Sequence, residues 1–242
     1  MTFEPHDIVW TPEKSKRIWD FYGSRPQFRT AFFGYIAGPM VAKKFMAMVA
    51  PAPDARILDF SCGHGDVIAA LLPKLTGAQE LHGCDFSDTY VGRVNARFRA
   101  EQRFKGAILV ERLPSPLPSQ HYDVIYATEV IEHLNDAELD GLLQECKRLL
   151  KPGGRLFFTT PNDEDYEAAK MMCPDCGCVY HKWQHLRTWT VTNLRARMEA
   201  AGIKTRSVET IAWLNVLSKL KMLVTQSRIR PDGLIYIGET VS

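Results

Sequence analysis

A chain of 242 residues is long enough to bury one α/β core with a few additions. Hydrophobic residues make up 45% and charged residues 24%, and the formal net charge of +2 gives no steering toward nucleic acid or an acidic membrane. The longest apolar stretch, residues 31–50, is broken by Pro39, Lys43 and Lys44, so nothing reaches the ~18 apolar residues that cross a bilayer.

The first residues carry neither a basic region nor an apolar leader segment, so the expected location is cytoplasmic, where six cysteines are not a disulfide framework. Residues 1–53 are expected to form an N-terminal helical extension, and residues 54–242 the main domain. Thr11 and Pro12 spell a helix start, and a second helix is expected over 34–49, stopped by Pro51 and Pro53. The extension is aromatic-rich (Trp10, Trp19, Tyr22, Phe28, Phe32, Tyr35), as expected of a cap that lends part of its surface to a substrate pocket.

The apolar strand Arg56–Phe60 runs through Ser61, Gly63 and Gly65 into a helix over 67–75. A strand that ends at a helix N-terminus offers free backbone N–H groups, and glycines let a ligand lie close to them. The dinucleotide fingerprint requires a third glycine three residues after Gly65, where Ile68 stands. A second strand, 81–85, ends on Asp85, whose carboxylate can accept from two ribose hydroxyls, with Phe86 beside it for an adenine face. A helix over 88–102 and a strand over 107–111 lead to the buried strand Tyr122–Ala127. Asn135 and Glu138 spell a capping box, and the helix behind it places Leu139, Leu142, Leu143, Cys146, Leu149 and Leu150 on one apolar face. A strand over 155–160, a helix over 192–202 and strands over 203–210 and 234–241 complete an alternating β/α pattern. That pattern predicts a doubly wound, mostly parallel sheet. A helix over 213–224 carries a leucine stripe (Leu214, Leu217, Leu220, Leu223) suited to core or to a contact with a second copy of the chain.

Two constellations can bind metal. If Thr128–Leu134 is helical, Glu129, Glu132 and His133 share one face and can hold a divalent cation; otherwise they contact backbone and cofactor. Within the 163–190 loop, Cys173-Pro-Asp-Cys176-Gly reads as a zinc knuckle. With His181 and His185 it gives Cys-x2-Cys-x4-His-x3-His, four ligands for a structural Zn²⁺, with Cys178 as a spare. The alternative is a loop of reduced thiols whose histidines serve the active site. His185 and His181 are thus candidates for zinc ligand, Mg²⁺ ligand or general base.

The ordered set Asp59–Gly65, Cys84–Ser87, Tyr122–Leu134 and Leu149–Asn162 resembles the class I S-adenosylmethionine-dependent methyltransferases. The resemblance covers roughly residues 55–162, with Ser61 in place of the first glycine of the motif D/E-x-G-x-G-x-G. It implies a seven-stranded Rossmann-like sheet with the last strand antiparallel. It also implies that Asp59, Ser61, Gly63 and Gly65 line the methionine half of the cofactor, that Asp85 takes the ribose, that Phe86, Arg112 and Leu113 flank the adenine, and that Thr128 and Glu129 close the site near the sulfonium. The E-x-x-E-H spelling is similar to the Mg²⁺ site of ubiquinone-pathway O-methyltransferases and small-RNA 2′-O-methyltransferases. The candidate catalytic residues are His181, His185 and Glu132. The expected function is methyl transfer to a small or medium-sized metabolite or glycan precursor at oxygen. Mg²⁺-dependent RNA 2′-O-methylation and a non-catalytic, zinc-stapled binding protein on the same scaffold stand as alternatives.

Overall fold

Side chains alternate along the central strands and sort the chain into two packed layers. Ile57 and Tyr126 join one apolar cluster, while their strand neighbours Leu58 and Ile125 join the other, as expected for a sheet covered on both faces. The computed structural model describes residues 4–213 and 231–240; the expected 213–224 helix and its leucine stripe, apart from Trp213, lie outside the described residues.

The N-terminal segment forms β1 (His6–Asp7), α1 (Pro12–Ser24) and α2 (Phe33–Val49). Thr11 caps α1 by accepting from the Lys14 N–H at 3.4 Å. α2 belongs to the sheet core: Phe45 is fully buried and its ring meets Tyr126 at 5.4 Å and Phe157 at 5.3 Å. The wound unit follows as β2 (Arg56–Phe60), α3 (Asp66–Leu71), β3 (Glu80–Asp85), α4 (Asp88–Phe98), β4 (Phe104–Leu109), β5 (Tyr122–Thr128), α5 (Asp136–Leu149) and β6 (Leu150–Pro161). An insertion hairpin, β7 (Lys170–Met172) and β8 (Cys178–His181), precedes α6 (Val191–Ala200), β9 (Ile203–Ile211) and β10 (Gly233–Thr240).

The main sheet has the order β4-β3-β2-β5-β6-β10-β9, and β10 runs antiparallel to both its neighbours. β5 bonds β2, and the strand order reverses there, so the crevice beyond the carboxyl ends of β2 and β5 is where this topology binds ligands. The capping box is present, with Asn135 and Glu138 each accepting the other's backbone N–H at 2.9 Å, and the six predicted residues of the α5 face are all buried.

Three expectations are corrected. Thr128–Leu134 is not a helix: β5 ends at Thr128, Glu129 turns with φ of 53°, and the helix begins only where Asn135 caps it. The loop after β6 is ordered as a hairpin, which joins β1 in a small sheet of order β1-β8-β7. Residues 178–185 are strand and turn rather than helix, so His181 and His185 are not ligands on one helical face.

Candidate active site

A cavity of about 860 Å³ opens over the carboxyl ends of β2, β3 and β5. Asp59, Ser61 and Gly63 line its floor, Asp85, Phe86, Arg112 and Leu113 one side, and Thr128 and Glu129 the other. Of the ten residues expected at the cofactor, Gly65 alone does not face the cavity.

The two turn glycines do different work. Both have left-handed backbone, φ 49° at Gly63 and 70° at Gly65. A Cβ on Gly63 would meet nothing within 4 Å, so the space above it is left open for a ligand. A Cβ on Gly65 would lie 2.8 Å from Phe98 and 3.1 Å from Val94. Gly65→Ala is therefore expected to destabilise the fold by ~1–3 kcal/mol through crowding and backbone strain, read as a lower melting temperature. Gly63→Ala carries only the ~1–2 kcal/mol backbone cost but places a methyl group on the cavity floor, and a calorimetric titration should show cofactor binding weakened by more than its modest loss of melting temperature explains.

The Asp85 carboxylate is held by two backbone donors. Its Oδ2 accepts from the Gly63 N–H at 2.8 Å and its Oδ1 from the Ser87 N–H at 3.0 Å. Each carboxylate oxygen keeps a further lone pair, one for each of two ribose hydroxyls. Burial pushes the Asp85 carboxyl up to about 6, against the lowering effect of the Ser87 and Gly63 N–H groups.

Positive charge suits this cavity. Burial raises Asp59 to about 8, in spite of the 2.8 Å hydrogen bond it accepts from the Tyr126 hydroxyl. Its second oxygen is buried without a partner among the described residues. Burial likewise raises Glu129 to about 8, while Thr159 Oγ1 donates to it at 2.8 Å and Glu164 adds like charge. Buried carboxyls held this high are stabilised as anions by a bound cation. A sulfonium and an ammonium group supply one, whereas the pyrophosphate of a dinucleotide supplies no cation to hold these carboxyls ionised. The residues present therefore fit S-adenosylmethionine.

Beside this floor stands a second cluster. Glu132 Oε2 accepts from Thr160 Oγ1 at 3.0 Å, and its Oε1 lies 3.7 Å from His133 Nε2. Burial drives the Glu132 carboxyl well up and takes His133 down to about 3, with His185 also lowering His133. His185 lines the cavity, and its Nδ1 bonds Glu164 Oε2. The buried His181 accepts at Nδ1 from the Trp183 and His185 N–H groups (3.3 and 3.2 Å), which leaves its proton on Nε2, 3.5 Å from Glu164 Oε1. Burial acts to raise Glu164, but the neighbouring His181 and His185 prevail and hold it at about 2. Glu164 is thus an anion bonded to His185 Nδ1 and faced by His181 Nε2 at 3.5 Å.

Of the three candidate catalytic residues, His185 reaches the cavity, whereas Glu132 and His181 stand behind it. Among the described residues, two groups bring three possible metal ligands together, Glu132–His133–His185 and Glu164–His181–His185. The expected zinc set of Cys173, Cys176, His181 and His185 is corrected, because His185 Nδ1 bonds Glu164 and His181 faces the same carboxylate at 3.5 Å. Glu129 stands outside the Glu132–His133 group, because the turn that replaces the expected helix separates them.

Glu164 and Gln184 were not legible as site residues. Gln184 accepts from Trp19 Nε1 at 2.5 Å and donates to Ser15 Oγ at 3.0 Å and to the His133 carbonyl at 3.2 Å. It thereby ties α1 to the turn after β5. Trp19 then meets the His133 ring at 4.9 Å, and Trp19, Phe32, Phe33, Ile36 and Trp183 make an apolar wall opposite the floor.

Comparison with known proteins agrees with this geometry. The family described as "Methyltransferase domain" matches residues 37–208. The chain is 32% identical over 109 residues to a ubiquinone biosynthesis O-methyltransferase of Idiomarina loihiensis, a match covering 44% of this chain and 42% of that protein. The match thus spans less than half of that relative's length. Among solved structures, the 1,6-didemethyltoxoflavin-N1-methyltransferase of Burkholderia thailandensis, with 1,6-didemethyltoxoflavin and S-adenosylhomocysteine bound, has a TM-score of 0.69 at 14% identity, covering 98% of this chain and 94% of that one. A SAM-dependent methyltransferase from Aquifex aeolicus has a TM-score of 0.60 at 15% identity, covering 96% and 100%. These two likenesses carry the fold.

Proposed function

The chain belongs to the class I S-adenosylmethionine-dependent methyltransferases, and on that premise we propose that it methylates a hydroxyl group on a small acceptor with a flat apolar body, with His185 as general base. When bound, the cofactor would supply a methyl carbon activated by its sulfonium for attack by the acceptor oxygen, with the C–S electron pair going to sulfur. Asp85 would hold the ribose, Gly63 would admit the methionine half, and Asp59 and Glu129 would face its positive charge. Glu164 accepts the Nδ1 proton of His185 and so fixes the tautomer whose Nε2 carries a lone pair. That Nε2 takes the acceptor's hydroxyl proton as the oxygen commits to the methyl carbon.

The observation that carries this reading is the Glu164–His185 pair at the wall of a cavity whose floor fits the cofactor. The wall of Trp19, Phe32, Phe33, Ile36 and Trp183 suits an aromatic or enolic acceptor better than a saccharide or an RNA strand. The O-methyltransferase name of the Idiomarina loihiensis relative supports oxygen as the acceptor atom.

The clustering of Glu132, His133 and His185 favours a second reading, in which a divalent cation on these three holds the acceptor oxygen. One carboxylate and two imidazoles suit Zn²⁺, Mn²⁺ or Fe²⁺ better than Mg²⁺. His185 cannot serve as ligand and base at once. The experiment is turnover of a panel of phenolic, enolic, sugar and RNA acceptors with labelled cofactor, before and after dialysis against a chelator. The base reading expects phenols or enols to be methylated at an unchanged rate after dialysis. Loss of activity that added metal restores would replace it with the metal reading, and turnover confined to RNA would overturn both the base and the acceptor class.

A further inference from the structure

The cysteine-bearing hairpin takes no part in the cavity, yet its main chain has the form of a metal knuckle. Between β7 and β8, the Gly177 N–H donates to the Cys173 carbonyl and the Cys173 N–H to the Cys178 carbonyl, both at 2.9 Å. The turn so closed carries Cys173, Cys176 and Cys178 within six residues. None of the three is buried, and Cys176 is exposed, so core packing does not account for them.

A fourth donor comes from the other end of the chain. β1 pairs in parallel with β8, placing His6 beside Cys178 and Asp7 beside Val179, with the His6 N–H donating to the Gly177 carbonyl at 3.0 Å. Neighbours in register on parallel strands project to the same face, so His6 shares a face with Cys178 and Asp7 points to the other. A two-residue strand is too short to hold its place by pairing alone.

We propose that Cys173, Cys176, Cys178 and His6 bind one Zn²⁺ ion that fastens the N-terminus to the insertion hairpin. Three thiolates and an imidazole are a closed donor set for a structural zinc. Backbone bonds and strand register already bring together the segments that carry the four donors. α1 begins five residues after β1, and Lys14 Nζ donates back to the Val9 carbonyl at 2.7 Å. The ion would therefore steady the helix that carries Trp19 into the cavity wall. This assignment does not depend on which acceptor is methylated.

The test is elemental analysis of the full chain purified under reducing conditions and reconstituted with Zn²⁺ alone, alongside the absorption spectrum of the Co²⁺-loaded chain. About one zinc per chain is expected, and Cys176→Ser and Cys178→Ser should retain roughly a tenth or less. His6→Ala should lose zinc to a chromophoric chelator at roughly tenfold lower competitor concentration, while His181→Ala keeps its full zinc content. The thiolate-to-cobalt band should correspond to three sulfurs, a readout on the wild-type chain that decides the matter even if a variant fails to fold. A chain that takes up no zinc, a two-sulfur cobalt spectrum, or zinc lost in His181→Ala but kept in Cys178→Ser would overturn the assignment.

Discussion

Asp85→Ala is expected to weaken S-adenosylhomocysteine binding by roughly 10²–10⁴-fold, since a hydrogen bond to a charged group contributes ~1.5–3 kcal/mol and two ribose hydroxyls are lost together. The substitution also frees the Gly63 and Ser87 N–H groups that Asp85 now accepts, so circular dichroism should accompany the titration. Asp85→Asn is the milder probe, keeping the shape while exchanging one acceptor for a donor. The same carboxyl sets a pH dependence. Its pKa lies near 6, raised by burial; above that value it is ionised and accepts both hydroxyls, and below it a proton occupies one oxygen. Affinity should fall as Asp85 protonates near 6, below the dependence that Asp59 and Glu129, raised to about 8, impose at higher pH, and Asp85→Asn should remove the step near 6 alone.

His185→Ala should lower kcat by about 10²–10⁴-fold, the range assigned to a positioned general base, with cofactor affinity within about twofold of wild type. Glu164→Gln should act in the same direction and less severely, because the imidazole remains but its Nδ1 proton loses an anionic acceptor. Against the raising effect of burial, Glu164 is held near 2 by its two neighbouring histidines, so it is ionised throughout the working pH range and should add no inflection of its own. Single-turnover kinetics separate this from a defect in acceptor binding. A His185→Ala enzyme with undiminished single-turnover rate would remove the base from the mechanism.

The cofactor side of the cavity was readable in the sequence because its chemistry is local. A strand, a turn with two left-handed glycines and a helix stand together at residues 56–71, and Asp85 ends the next strand. Element order and the α5 cap were readable for the same reason, since periodicity and capping act within a few residues. The acceptor side was not readable. Glu164 and His185 are 21 positions apart and meet only because the insertion folds back as a hairpin. Gln184 bridges to Trp19 across 165 positions, and no short pattern marks it. The E-x-x-E-H segment misled because a strand must first turn away from the sheet. That turn, with Glu129 in left-handed backbone, takes the place of the first helical residues, and the helix waits for Asn135. The spacing of His181 and His185 suggested one helical face, whereas a strand end and a turn bring their rings to 4.3 Å, stacked, on a shared carboxylate.

The floor of the cavity, with Asp59, Asp85 and Glu129 around the open space above Gly63, is the premise for everything else. Isothermal titration of the purified chain with S-adenosylmethionine, S-adenosylhomocysteine and NAD tests it directly. Saturable one-to-one binding of both sulfur cofactors, lost in Asp85→Ala, with no heat from NAD, is the predicted result. Binding of NAD, or a flat trace with S-adenosylhomocysteine on a folded chain, would contradict it.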